Sequence, residues 1–129
     1  MYFRIVKPMS KHFVFSSSTE IVRVPADAVV YIVADGNYSA IHMADRESFV
    51  LTLQLGQIER RIAELLDKHD NRFIRIGKSL IVNRDFIAFI NPSRQKMIVT
   101  DCRTFRQELA ASKEALKTLK EIIEKEEQK

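Results

Sequence analysis

Apolar and polar residues alternate with different periods along the chain, and each change of period predicts an element. Ile21, Val22 and Val24 form a short apolar cluster ended by Pro25, a residue that cannot donate to a sheet ladder, so a short strand is expected there. Ala28-Val29-Val30-Tyr31-Ile32-Val33 is a β-branched and aromatic run, the composition of a buried strand. Asp35-Gly36-Asn37 follows at once. Gly and Asn tolerate the positive φ of tight turns, which predicts a hairpin, with 38–43 returning as the next strand. Asp45-Arg46 predicts a second turn and 48–53 a third strand. The period then lengthens. Leu55, Ile58, Ile62, Leu65 and Leu66 fall at helical spacing with Glu59, Arg60, Arg61 and Glu64 between them, which predicts an amphipathic helix over 55–68. Strand character returns over 73–76 and stops at Gly77. Further strands are expected over 80–82, 86–90, 96–100 and 103–109, with a turn at Asn91-Pro92-Ser93-Arg94. A last helix is expected over 112–126, with Ser112 as its N-cap and Leu116, Leu119 and Ile123 as its apolar stripe. The N-terminal segment, broken by Pro8 and by Ser16-Ser17-Ser18, reads as an irregular lead-in. The domain is therefore expected over 20–129, preceded by a lead-in over 1–19. Many short strands and two helices at fixed places predict a mostly β fold with antiparallel pairing.

Composition narrows the class. The chain has 129 residues, 46% of them hydrophobic and 29% charged, which suits one globular domain with its own core. No apolar run reaches the roughly 18 residues that span a bilayer. The N-terminus interleaves Arg4, Lys7 and Lys11 with its apolar residues, so it does not read as a secretion signal. Cys102 is the only cysteine, which excludes an internal disulfide and fits a reducing compartment. A cytoplasmic location is expected. The net charge of +4 conceals an uneven distribution. Residues 72–106 carry eight basic residues (Arg72, Arg75, Lys78, Arg84, Arg94, Lys96, Arg103, Arg106) against Asp85 and Asp101. Such a block is either a surface for a polyanion or a solvated basic face with no partner.

Catalytic chemistry finds no support in spacing. His12, His42 and His69 have no metal-ligand spacing to one another or to Cys102, so no metal is expected. Asp35, Ser39 and His42 share a hairpin, but the strained Gly-x-Ser-x-Gly elbow of a serine nucleophile is missing. Gly77-Lys78-Ser79 resembles the end of a phosphate-binding loop, yet Arg72 stands where that loop needs its first glycine. With three glycines in all, the chain cannot build a Gly-rich nucleotide cradle. Neither a cofactor nor a small-molecule substrate is expected, and the chain is not read as an enzyme.

The informative stretch is RFIRIGKSLIVNRDFIAFI, residues 72–90. Two apolar strands flank a glycine-hinged polar step, and Arg75, Lys78, Ser79, Asn83 and Arg84 lie in or beside it. Lys and Arg supply charge, Ser and Asn can donate to phosphate oxygens, and Asn can also pair with adenine. Asn83 can equally serve backbone groups in a turn, which is the commoner role. Three segments in order resemble the LytTR family of bacterial DNA-binding domains, over about residues 20–123. VVYIVADGNYSAIHM (29–43) is similar to the family's strand, Asp-Gly turn and strand. FVLTLQLGQIERRIAELL (49–66) is similar to its strand and helix. FIRIGKSLIVNRDFIAFI (73–90) is similar to its F-x-R-x-H-[KR]-S-x-[IV]-V-N signature, and Ser112-Lys113 to the start of its final helix.

The resemblance implies an elongated stack of antiparallel sheets with about ten strands. It implies double-stranded DNA as partner, read by loops in successive major grooves over repeated sites, and a role in transcription regulation. The residues at the matching positions are Asn37, Tyr38 and Ser39 in a first loop, Lys78 and Ser79 in a second, and Ser112 and Lys113 in a third. Arg75, Asn83 and Arg84 would organise the second loop or meet phosphate. Gly77 stands where many members have histidine, so that side chain's contact does not carry over. Stand-alone members of the family can pair with membrane-bound regulators. Only the short lead-in precedes the similarity, so no receiver domain is expected in this chain. The final helix offers an alternative function. Leu109, Leu116, Leu119 and Ile123 lie near heptad spacing, which suits either a homodimer seam or packing of the helix on its own sheet.

Overall fold

The computed structural model describes residues 11–127. Ten strands, two α-helices and two 3₁₀ turns follow one another along these residues. The order is β1 (His12–Ser16), β2 (Ile21–Pro25), a 3₁₀ turn (Ala26–Ala28), β3 (Val29–Asp35), β4 (Tyr38–Met43), β5 (Ser48–Leu51) and α1 (Leu55–Leu65). Then come β6 (Phe73–Ile76), β7 (Leu80–Asn83), a 3₁₀ turn (Arg84–Phe86), β8 (Ile87–Asn91), β9 (Lys96–Thr100), β10 (Arg106–Ala110) and α2 (Lys113–Glu127). All sheet pairing is antiparallel. A β1-β2 hairpin, a five-stranded sheet in the order β5-β4-β3-β7-β6, and a three-stranded sheet in the order β10-β9-β8 make up the three sheets.

Strand alternation explains how the sheets stack. In the five-stranded sheet Ile32 pairs with both Ile41 and Ile81, and all three point to one face. There they meet Phe13, Phe15, Val22 and Val24 of the hairpin and Leu55, Ile58 and Ile62 of α1. One residue along, Leu80 and Val82 point to the other face. They join Val30 and Ile76 against Met97 and Val99 of the three-stranded sheet and Leu116 and Leu119 of α2. The central sheet is thus covered on both sides by separate apolar layers, and every residue of β7 is buried.

Several boundaries differ from the sequence reading. His12–Ser16 is a strand, in place of the expected irregular lead-in. Phe13 and Phe15 alternate inward, and every residue from His12 to Ser16 pairs with β2. Pro8 lies outside the described residues. The expected strand over 103–109 begins only at Arg106, because the Asp101 carboxylate accepts the amides of Arg103, Thr104 and Phe105 and curls them into a turn. A bond from the Thr104 hydroxyl, together with these amides, holds the Asp101 carboxyl far below its ordinary range. Helix α1 stops at Leu65, short of the expected end at 68, and the Lys11 ammonium donates to the Leu65 carbonyl at 3.1 Å. Strand β5 ends at Leu51, before the expected end at 53. Residues 84–86 form a 3₁₀ turn, so the strand expected from Phe86 begins at Ile87. The Asn83 side chain takes the Asp85 amide at the start of the turn. Ser112 caps α2 as expected, its Oγ accepting the Ala115 amide at 3.1 Å. The leucine stripe of α2 packs on the protein's own sheets, with Leu116 and Leu119 buried, so it is not available as a homodimer seam.

Candidate nucleic-acid interface

Antiparallel register sets which loops are neighbours. Val33 pairs with Leu80, and the Ala34 amide donates to the Ser79 carbonyl at 2.9 Å. The β3-β4 turn, Gly36-Asn37, therefore lies beside the β6-β7 turn, Gly77-Lys78-Ser79. Gly77 and Ser112 line the same shallow groove, which brings the N-terminus of α2 to the same side. The three segments singled out from the sequence thus form one row of loop tips, although they stand far apart along the chain.

Each tip has a local cause. Asp35 and Tyr38 pair across a two-residue turn, and Gly36 has φ +64. A positive φ at the first central position is the type II′ geometry that suits the twist of a hairpin, and glycine adopts it without strain. Asn37 and Tyr38 are exposed, Tyr38 at 50%. In the second turn Gly77 has φ +60. A Cβ there would meet nothing within 4 Å, so backbone conformation and not space selects glycine. Lys78 and Ser79 are exposed. Arg75 braces this turn from below. Its guanidinium donates to the carbonyls of Gly77 (3.1 Å) and Lys78 (3.0 Å) and pairs with Glu59 of α1 at 2.8 Å. At the third tip Ser112 and Lys113 are exposed, and Lys113 sits in the first turn of α2.

Three of the expected site residues lie elsewhere. Ser39 is wholly buried, and its hydroxyl donates to the Leu53 carbonyl at 2.8 Å. It fastens β4 to the segment entering α1 and cannot meet DNA. Asn83 is also wholly buried. Its amide donates to the Val29 carbonyl at 2.9 Å and its oxygen accepts the Asp85 amide at 2.9 Å, so it joins β7 to the start of β3. Arg84 is directed to α2, where it pairs with Glu126 at 2.6 Å and Glu127 at 3.3 Å. With its side chain only 11% exposed it anchors the helix end and cannot reach a phosphate. The parity of the strand predicts Ser39's burial, because it shares a face with Ile41 and Met43. No local signal identifies the partners of Arg84, which lie at the far end of α2.

Other polar groups have structural roles. Arg72 pairs with Asp27 and, at 3.0 Å, with Asp70, whose carboxyl it lowers by a side-chain hydrogen bond. The imidazole of His42 stacks on Tyr31 with ring centroids 4.4 Å apart. Burial lowers the His42 pKa and raises that of the Tyr31 phenol. Cys102 is exposed in the β9-β10 turn. Among the described residues no cluster of His, Cys, Asp or Glu could hold a metal ion, and no helix is long and apolar enough to cross a membrane.

The chain is similar in structure to a LytTr DNA-binding domain from Bacillus cereus, with a TM-score of 0.59 and 19% identity over 88% of this chain and 97% of that one. At that identity the likeness speaks for the fold. No curated protein sequence matches the chain. The profile of the LytTr DNA-binding domain matches residues 19–124. The chain belongs to the LytTr DNA-binding domain family, which is a family of DNA-binding domains and not of enzymes.

Proposed function

We propose that this protein regulates transcription by binding specific double-stranded DNA through its row of loop tips. Asn37 and Tyr38, Lys78 and Ser79, and Ser112 and Lys113 are the contacting residues. The observation that carries the reading is the convergence of these three exposed segments on one side, with Lys78 in no ion pair among the described residues. Side chains on tight turns are narrow enough to enter a major groove, and the strands behind them fix their spacing. Tyr38, Asn37 and the two serines offer groups for base edges, while the lysines neutralise phosphate. Two copies would occupy repeated sites on one face of the duplex. Because the leucines of α2 are buried internally, a homodimer or a membrane-bound regulatory partner would have to use another surface. Such a protein works in the cytoplasm, where the DNA is.

Selection from a random duplex library tests the reading. The expected product is a pair of motifs separated by about one helical turn, roughly 10–10.5 base pairs. Failure to enrich any motif at low salt would overturn sequence-specific binding.

A further inference from the structure

Eight basic residues make the segment 72–106 positive, but the structure engages most of that charge internally. Arg72 pairs with Asp27 and Asp70, Arg75 with Glu59, and Arg84 with Glu126 and Glu127. Lys96 and Arg106 both pair with Glu108. Lys78, Arg94 and Arg103 make no ion pair among the described residues. Arg103 lies in the β9-β10 turn, at the Thr100 end of the three-stranded sheet. Arg94 lies at the other end, in the β8-β9 turn between Asn91 and Lys96.

The Arg94 turn is tied to the row of loop tips. The Ala111 amide donates to the Gln95 carbonyl at 3.4 Å, next to Ser112 and Lys113. The turn is also well built. The Asn91 side chain accepts the Arg94 amide at 3.1 Å, the Gln95 amide donates to the Pro92 carbonyl at 3.0 Å, and Gln95 takes φ +55. Arg94 is thus an exposed cation on a preorganised turn, one residue from Gln95, which the Ala111 bond ties to the start of α2 beside Ser112 and Lys113. A guanidinium with no carboxylate partner is suited to a phosphate.

We infer that Arg94 is a fourth DNA contact, gripping a backbone phosphate that flanks the segment read by the three loops. The inference rests on the DNA-binding reading above and extends its footprint at one end. The test uses the full chain and the duplex recovered by selection, in versions trimmed stepwise on each flank. Fluorescence anisotropy across a salt series compares wild type, Arg94→Ala, Arg94→Lys and Lys78→Ala. Arg94→Ala is expected to weaken the untrimmed duplex three- to tenfold and to flatten the slope of log affinity against log salt by about one. Arg94→Lys should keep the wild-type slope. Trimming one flank, and not the other, should erase the difference between wild type and Arg94→Ala. A mixed-sequence duplex should lose affinity by a similar factor, since a phosphate carries no sequence. An Arg94→Ala protein indistinguishable from wild type, while Lys78→Ala is weakened, overturns the Arg94 contact and leaves the DNA-binding reading standing. A wild-type protein that binds no duplex overturns both. Exposure of Arg94 makes an unchanged thermal midpoint the expected control.

Discussion

Replacing Asn83 by Ala separates a fold-holding residue from a DNA-reading one. Asn83 is wholly buried and bridges two backbone groups, the Val29 carbonyl and the Asp85 amide, each at 2.9 Å. Val29 is itself wholly buried, so water cannot replace the lost donor. Leaving one buried polar group unsatisfied costs about 1–3 kcal/mol. Asp85 is exposed, so its amide can turn to solvent and adds at most about 1 kcal/mol, as for a weak helix cap. The sum is about 1–4 kcal/mol, which at this chain length lowers the thermal midpoint by roughly 4–16 °C. Circular dichroism melts read the midpoint, and anisotropy at a temperature well below it reads DNA affinity. The affinity of the folded protein should stay within about threefold of wild type, because about 1.4 kcal/mol would be needed for tenfold. Asn83→Asp keeps the acceptor for Asp85 but sets a buried carboxylate against the Val29 carbonyl, so it should be less stable still near neutral pH. A midpoint within about 2 °C of wild type, joined to a tenfold loss of DNA affinity, would refute the reasoning and move Asn83 to the interface.

Three further outcomes are expected. Gly77→Ala should destabilise by about 1–2 kcal/mol through its positive φ alone, and Gly77→Asn by less, as read from urea midpoints. Arg84→Met should loosen the end of α2 while sparing α1. Hydrogen exchange would report it as faster exchange over 120–127, and unchanged protection there would contradict the anchoring role. His42 has its pKa lowered from 6.5 by burial against Tyr31, in a hollow also lined by Arg46, Glu47 and Arg106. The unfolded chain binds the proton first, so the stability that neutral His42 contributes is present above 6.5 and is lost as the pH falls from there through its lower folded value. His42→Phe should flatten the plot of thermal midpoint against pH in that window, and an equally steep plot would show that another group carries it.

Much of the fold is legible because the periods of the sequence are clean. Strand alternation locates β4, β6 and β9 to the residue, and helical spacing locates both helices to within a turn. Strand β1 is harder to read, because the serine run that follows it masks the alternation of Phe13 and Phe15. The strand expected from residue 103 fails for a reason that periodicity does not carry, since one carboxylate, Asp101, gathers three successive amides. Of the site, the exposed tips are legible as turn chemistry plus charge. The burial of Ser39 is legible from its parity with Ile41, although its place beside the turn points the other way. The pairing of Arg84 with the end of α2, and the nearness of Gln95 to Ala111, depend on how distant segments pack. No local pattern encodes either. The basic block of 72–106 shows the same limit. Its charge is visible in the sequence, but which cations remain unpaired is decided only by the folded chain.

The central claim is that DNA is bound by loop tips with Lys78 among them. The affinity of wild type and Lys78→Ala for the selected duplex, followed across salt concentration, tests it most directly. The expected result is a weaker Lys78→Ala complex with a salt slope reduced by about one, at an unchanged thermal midpoint. A variant with wild-type affinity and slope would contradict the account and remove the second loop from the DNA.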